Sequence, residues 1–191
     1  MARVLEGKVG KSYKHFAELF DSLPMAAKEI YFYALENTIK DKKLAKDFIF
    51  NSPIWGVEDC KSPIEKIFYV AFEIVCLFRK KELPEYATCM YSNPQCEVEA
   101  NGHKYVADFA ICRETNQEGY GIFLVECDGH EFHQKTKQQV ERDNTRQYEL
   151  KMAGFDILRF SGSQIYKDPF KCANDVFDYA LFKLNGGKNG K

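Results

Sequence analysis

The chain has 191 residues, of which 45% are hydrophobic and 15% aromatic, which is enough for a folded core and excludes a disordered or fibrous protein. With 27 basic and 28 acidic residues the net charge is −1, so overall charge favours neither a membrane surface nor a general polyanion binder. We find no signal-peptide pattern and no apolar run long enough to span a bilayer, and we expect a soluble, cytoplasmic protein. Seven scattered cysteines without a C-x-x-C pair indicate buried free thiols.

The first part of the chain has helical periodicity. Residues 14–50 are predicted to be helical, with a break before Pro24, which suits a first helical turn. Ser62 is a candidate N-cap with Pro63 at the first helical position, so the next helix is expected over residues 63–81.

Strand-like alternation follows. The segments YATCMYS, CEVEA and HKYVADFAIC have this pattern, and Asn101-Gly102 between the last two is a strong signal for a hairpin. Residues 120–128, YGIFLVECD, form a nearly continuous apolar run, which is typical of a strand buried on both faces. This segment is therefore predicted to be the middle strand of a sheet.

The last third returns to helix, then strand, then helix. Residues 136–152 are predicted to form a helix closed by Gly154. FDILRFS is predicted to be a strand, and Asp168 with Pro169 should begin a final helix. The predicted order is helix, three strands, helix, strand and helix.

Three carboxylates fall at one end of the predicted sheet. Asp108 lies in the second hairpin strand, while Glu126 and Asp128 share one face at the end of the central strand, because strand side chains repeat every two residues. We expect the three to converge, and such a cluster suits a hard divalent cation such as Mg²⁺. The alternatives are an exposed strand residue at Asp108 and a strand simply leaving the core at Glu126 and Asp128.

The motifs YVADFAIC, FLVECDGHEFHQKT and RDNTRQYELKMAGFDILRFSGSQI, in this order, resemble the restriction-endonuclease-like PD-(D/E)XK superfamily. The resemblance is to the branch similar to very-short-patch repair endonucleases and related uncharacterised endonuclease domains, and it covers roughly residues 62–182. It implies an α/β fold with an αβββαβ core, a mixed central sheet flanked by helices. It also implies a helical extension over residues 1–55, a nuclease domain over 56–185 and a disordered tail over 186–191.

The resemblance further implies roles for individual residues. Asp108 and Glu126 would be the metal-binding carboxylates, with the main-chain carbonyl of Cys127 as a third ligand. Glu65 matches the family's helical acid, although its place in the first turn of a helix is equally explained by a capping box. His133 would orient or activate the attacking water, or assist the leaving group.

One departure concerns the lysine of the family motif. Its place is taken by Asp128 in this chain, so Lys135, Lys137 or His133 would have to help activate the water. His130 and His133 are exchangeable in role. The spacing of Cys127 and the two histidines can also suggest zinc, but residues along a buried strand and its turn would not all point to one tetrahedral centre.

The function implied is a Mg²⁺-dependent DNA endonuclease, with Mn²⁺ able to substitute, acting in repair, defence or on mobile elements. Arg142 and Arg146, one helical turn apart, can contact phosphates or be held in salt bridges by acidic neighbours. The alternatives are a nucleic-acid-binding or regulatory protein without turnover, and a nuclease for RNA or for branched or single-stranded DNA. A partner protein or a homodimer is expected if both strands are cut, since one metal site cuts one strand at a time.

Overall fold

The computed structural model describes residues 13–42, 45, 48, 52–114, 119–129 and 136–186. The α-helices are α1 (Tyr13–Asp21), α2 (Met25–Thr38), α3 (Pro63–Phe78), α4 (Lys137–Met152), α5 (Gly162–Lys167) and α6 (Pro169–Leu184), and short 3-10 turns span Val57–Asp59 and Lys80–Glu82. The strands are β1 (Cys89–Ala100), β2 (His103–Glu114), β3 (Gly119–Asp128) and β4 (Ile157–Ser161). From α3 onward this is the predicted order, with the short helix α5 added.

The helices begin where the sequence places capping residues. Ser62 Oγ accepts a backbone N–H from the first turn of α3 at 3.2 Å, and Pro63 occupies the first helical position. Thr136 forms a reciprocal capping box with Gln139 at the start of α4. Asp168 caps α6 by accepting the backbone N–H of Lys171 with its side chain at 2.8 Å. These caps satisfy N–H groups that a helix end would otherwise leave without partners.

The strands form one mixed sheet in the order β1-β2-β3-β4. The first three strands pair antiparallel, and β3 pairs with β4 in parallel. Asn101 and Gly102 form the hairpin between β1 and β2, both with positive φ, as predicted. Residues 123–127 of β3 are buried, so β3 is the interior strand that the sequence indicated.

Helices cover both faces of the sheet. On one face α2, α3 and α6 share a buried core with the sheet, which contributes Phe109, Ile111 and Val125. On the other face Leu150 of α4 packs with Leu124 and small neighbouring side chains. The predicted α/β architecture, a mixed central sheet flanked by helices, is confirmed.

The N-terminal helices contribute to the larger of these cores. Leu19 of α1 and Ile30 and Tyr31 of α2 are buried in the same cluster as Phe68 and Phe72 of α3. The boundary drawn near residue 55 stays a prediction, and apolar packing is continuous across it. The predicted tail falls outside the described residues after Gly186.

None of the helices within the described ranges combines the length and the apolar character needed to cross a lipid bilayer.

Strand β1 differs from its prediction. The sequence indicated two segments, whereas the structure has one continuous strand. Pro94 pairs with Phe109 and Cys96 with Ala107, so Gln95, with φ of 51°, lies opposite Asp108 in an unbroken register. Because proline has no N–H to donate, it belongs on edge strands or at bulges, and β1 is at the sheet edge.

Candidate active site

Strands β2 and β3 stop pairing close to the acidic residues. Their backbone pairing runs as far as Phe109 opposite Val125. Just beyond that pair, Asp108 Oδ2 accepts the backbone N–H of Cys127 at 2.7 Å. The Asp108 carboxylate thus adds a hydrogen bond between β2 and β3 beyond their last backbone pair. Antiparallel alternation puts Asp108 and Glu126 on the same face at this point.

Arg146 of α4 contacts both β2 and β3 near the point where these strands stop pairing. Its Nη2 donates to Glu126 Oε1 at 2.6 Å and to the carbonyl oxygen of Val106 at 2.8 Å. The side chains of Arg146 and Glu126 are only 23% and 9% exposed, so this ion pair is largely shielded from water. The salt-bridge alternative for Arg146 is therefore observed, while Arg142, one turn earlier, is exposed and remains a candidate for phosphate contact.

Glu65 approaches the same region from α3. Its residue is 6% exposed, and its Oε2 accepts both the backbone N–H of Lys61 and the side-chain Nε2 of Gln95, each at 2.9 Å. The bond to Lys61 bears out the capping alternative in part, because the carboxylate does reach back to the helix entry. The bond to Gln95 is additional and connects α3 to the middle of β1.

The carboxylates influence one another electrostatically. The pKa of Asp108 is raised to about 6, chiefly by burial and also by the negative charges of Glu126 and Glu65, against the opposing effects of the Cys127 N–H and of Arg146. Burial on its own would lower the pKa of Arg146, but its bond to Glu126 and the nearby carboxylates raise it overall. Glu65, Asp108 and Glu126 therefore form one acidic group with a single arginine among its counter-charges.

Two thiols next to this group are held in the neutral form. Burial, followed by the charges of nearby carboxylates, raises the pKa of Cys60 and of Cys127 well above the ordinary value. Oxygen atoms are thus the anionic donors here. This chemistry suits a hard cation better than a thiolate-bound one.

The third predicted carboxylate has a different partner. Asp128 Oδ1 accepts from Arg159 Nη2 of β4 at 3.3 Å. The structure thus brings Glu65 together with Asp108 and Glu126, and holds Asp128 beside the neighbouring parallel strand. Asp128 stands where the family motif has its lysine.

Other predicted residues fall at the edge of the described region. His130, His133 and Lys135 lie outside the described residues. Lys137 is the first residue of α4 and is exposed. The group that activates the water therefore stays a prediction.

A metal would have few side-chain donors. Within the described ranges, no three His, Cys, Asp or Glu side chains are grouped so as to hold a metal ion. Asp108, Glu126 and the main-chain carbonyl of Cys127 nevertheless fit Mg²⁺, which typically takes one or two carboxylates and completes its shell with water and substrate phosphate. The pKa of Asp108 is raised chiefly by burial and in part by the charges of Glu126 and Glu65, and a bound cation would offset those charges.

Sequence reasoning missed Gln95. A glutamine in a β-segment carries no chemical signature by itself. The available signal was Pro94, since a proline inside a strand-like run indicates an edge or a bulge. The residue after Pro94, Gln95, has positive φ, and its side chain reaches Glu65.

Comparison with known proteins gives one family match. Residues 90–179 match the model of the family described as REase_MTES_1575, a restriction-endonuclease-like family. No curated protein and no solved structure matches the chain significantly. The matched segment begins in β1, ends in α6 and contains both Asp108 and Glu126. The match and the architecture support a restriction-endonuclease-like superfamily for this part of the chain, and not any one branch of it.

Proposed function

We propose that the protein is a metal-dependent DNA endonuclease that hydrolyses phosphodiester bonds. One observation carries the proposal: Asp108 and Glu126 meet where β2 and β3 part, within a segment that matches a restriction-endonuclease-like family. Such a family implies a nucleic-acid substrate. The acidic group also supports a cation requirement, because uncompensated carboxylates repel the phosphates of DNA.

Asp108, Glu126 and the carbonyl oxygen of Cys127 would hold Mg²⁺, for which Mn²⁺ can substitute. When bound, the ion supplies a Lewis acid for the scissile phosphate and lowers the pKa of a water nucleophile. Asp108 is poised for this task, because its pKa of about 6 leaves it ionised at neutral pH. Arg146 holds Glu126 Oε1 through a short ion pair, which fixes the direction of that carboxylate.

The proton of the attacking water needs an acceptor. His133 is our first candidate, with His130 exchangeable in role, because an imidazole can move a proton near neutral pH. Lys135 and Lys137 are the candidates to stand in for the motif lysine, and Asp128 occupies its position beside Arg159. Arg142, exposed on α4, is a candidate for contact with DNA phosphates.

The first test is a cleavage assay. Purified protein is incubated with supercoiled plasmid, linear duplex DNA, single-stranded DNA and RNA, in Mg²⁺, Mn²⁺ or EDTA. We expect cutting in either metal and none in EDTA. Asp108→Ala should reduce the rate roughly 1,000-fold, because several kcal/mol of transition-state stabilisation are lost and each 1.36 kcal/mol is a factor of ten.

Asp175→Asn is the matched control. Asp175 is an exposed acid on α6 paired with Lys171, so its loss should leave cutting unchanged. Nicked and linear plasmid products distinguish single-strand from double-strand cutting, and linear product at high protein concentration only would indicate two copies. Binding of DNA without cutting by folded protein in either metal would overturn the proposal and favour a regulatory binding protein. Cutting of RNA alone would overturn the DNA substrate and make RNA the substrate of the proposed nuclease.

A further inference from the structure

The backbone of Gln95 is unusual. Among the non-glycine residues that the structure describes, positive φ occurs at Gln95 and Asn101, both at 51°. Asn101 precedes a glycine in a two-residue hairpin, where this conformation is required and asparagine is favoured. Gln95 lies in the middle of a strand, where no turn requires it and where glutamine is not favoured. Such an outlier invites a functional explanation.

The conformation gives Gln95 one specific contact. Gln95 lies opposite Asp108, between the pairs Pro94–Phe109 and Cys96–Ala107, and its Nε2 donates to Glu65 Oε2 at 2.9 Å. Attachment of β1 to α3 does not depend on this bond. Ser92 already joins the two elements, because its N–H and its hydroxyl both donate to Glu73 Oε1 at 2.9 and 2.8 Å.

The contact fixes a carboxylate that belongs to the acidic group. Two donors, the N–H of Lys61 and the amide of Gln95, bind the same oxygen of Glu65, and the residue is 6% exposed. A buried side chain held twice at one atom has little rotational freedom. Gln95 also lies opposite Asp108 in the register of β1 and β2, so the residue that holds Glu65 is a cross-strand neighbour of Asp108.

We propose that Gln95 is a positioning residue of the candidate site: its amide holds Glu65 so that the charge of this carboxylate acts together with Asp108 and Glu126 where a divalent cation binds. The inference rests on the proposed function and names a residue beyond the carboxylates. Groups that orient a metal site without touching the ion commonly change metal affinity 10–100-fold (roughly) when replaced.

A glycine substitution separates positioning from backbone structure. Gln95→Gly keeps the backbone conformation, because glycine adopts positive φ without strain, and removes only the side chain. We expect the variant to unfold at the same or a higher temperature than the wild type and to bind Mn²⁺ about tenfold more weakly in calorimetry without DNA. Asn101→Gly is the control, since it changes the other positive-φ residue, and its Mn²⁺ affinity should equal that of the wild type. Gln95→Asn, which tolerates the conformation but has a shorter side chain, should behave like Gln95→Gly.

The outcomes separate this inference from the proposed function. If the wild type binds Mn²⁺ and cuts DNA while Gln95→Gly binds Mn²⁺ equally well, the positioning role is overturned and the nuclease function stands. If the wild type neither binds Mn²⁺ nor cuts DNA, both the positioning role and the nuclease function are overturned. If Gln95→Gly and Gln95→Asn both fail to fold, the side chain is structural and the inference is overturned.

Discussion

Two glutamates on opposite sides of the sheet are similarly buried and each accepts a side-chain amide, but the charges around them differ. Glu65 of α3 and Glu149 of α4 are 6% and 8% exposed, and each accepts from the amide of a positive-φ residue, Gln95 for the first and Asn101 for the second. Glu149 Oε2 also lies 2.8 Å from His103 Nδ1 and accepts the hydroxyl of Tyr105.

The difference lies in what surrounds each carboxylate. Around Glu149 the hydrogen bonds from Tyr105, His103 and Asn101 lower its pKa to about 2. Around Glu65 the group also contains the carboxylates of Asp108 and Glu126. Burial, together with the charges of Glu126 and Glu65, raises the pKa of Asp108 to about 6. Glu149, whose carboxylate is hydrogen-bonded by three side chains, joins the β1–β2 hairpin to α4. The acidic group of Glu65, Asp108 and Glu126 has more negative charge than its hydrogen-bond donors offset, and this suits it to bind a cation.

The largest stability effect is expected at Arg146. Replacing it by alanine in Arg146→Ala removes the guanidinium from buried Glu126 and from the carbonyl of Val106. We expect the free energy of unfolding in urea at pH 7 to fall by about 3 kcal/mol, since breaking a buried ion pair leaves an uncompensated charge. Arg142→Ala, an exposed residue on the same helix, should change it by less than about 0.5 kcal/mol. Equal effects of the two changes would mean that the acidic group does not need its arginine.

A smaller effect, dependent on pH, is expected at Asp108. Its pKa in the folded protein is about 6 against an ordinary 3.8, so its contribution to stability is fully present below about pH 4 and is lost as the pH rises through 6. In EDTA, Asp108→Asn should therefore be more stable than the wild type at pH 8 by up to about 2 kcal/mol, and equal to it at pH 4. Urea unfolding at the two pH values measures the difference. A variant less stable at pH 8 would contradict the proposed excess of negative charge.

The opposite pH dependence is expected at Glu149. Its pKa in the folded protein is about 2 against an ordinary 4.5, so its contribution is present above pH 4.5 and is lost as the pH falls through 2. Glu149→Gln should lower the midpoint of thermal unfolding at pH 7 by a few degrees, and the gap to the wild type should close as the pH approaches 2. Glu141→Gln, on the exposed side of the same helix, serves as the control. If both variants behave alike, Glu149 does not fasten the hairpin to α4.

Local signals explain why much of the fold could be predicted from the sequence. The caps at Ser62, Thr136 and Asp168 act within three residues, and Asn101-Gly102 determines its own hairpin. Helix α5 escaped prediction because six residues are too few to display a helical period.

In the candidate site, too, local patterns could be predicted from the sequence and tertiary contacts could not. Asp108 and Glu126 could be predicted as neighbours because a hairpin register and a period of two relate them. The pairing of Arg146 with Glu126 depends on where α4 lies over the sheet, which no local pattern specifies. The bond from Gln95 to Glu65 depends on a positive φ within a strand and on contact between residues 30 positions apart. Partners supplied by tertiary packing are thus the part of the site that the sequence leaves open.

The bond between the Cys127 N–H and Asp108 Oδ2 has a practical consequence. The amide proton points at an oxygen that would change its electron density on protonation or on arrival of a cation. In a sample labelled with ¹⁵N at cysteine, the chemical shift of this one amide therefore becomes an internal indicator of the state of the site. A magnesium titration followed at that signal requires neither DNA nor turnover.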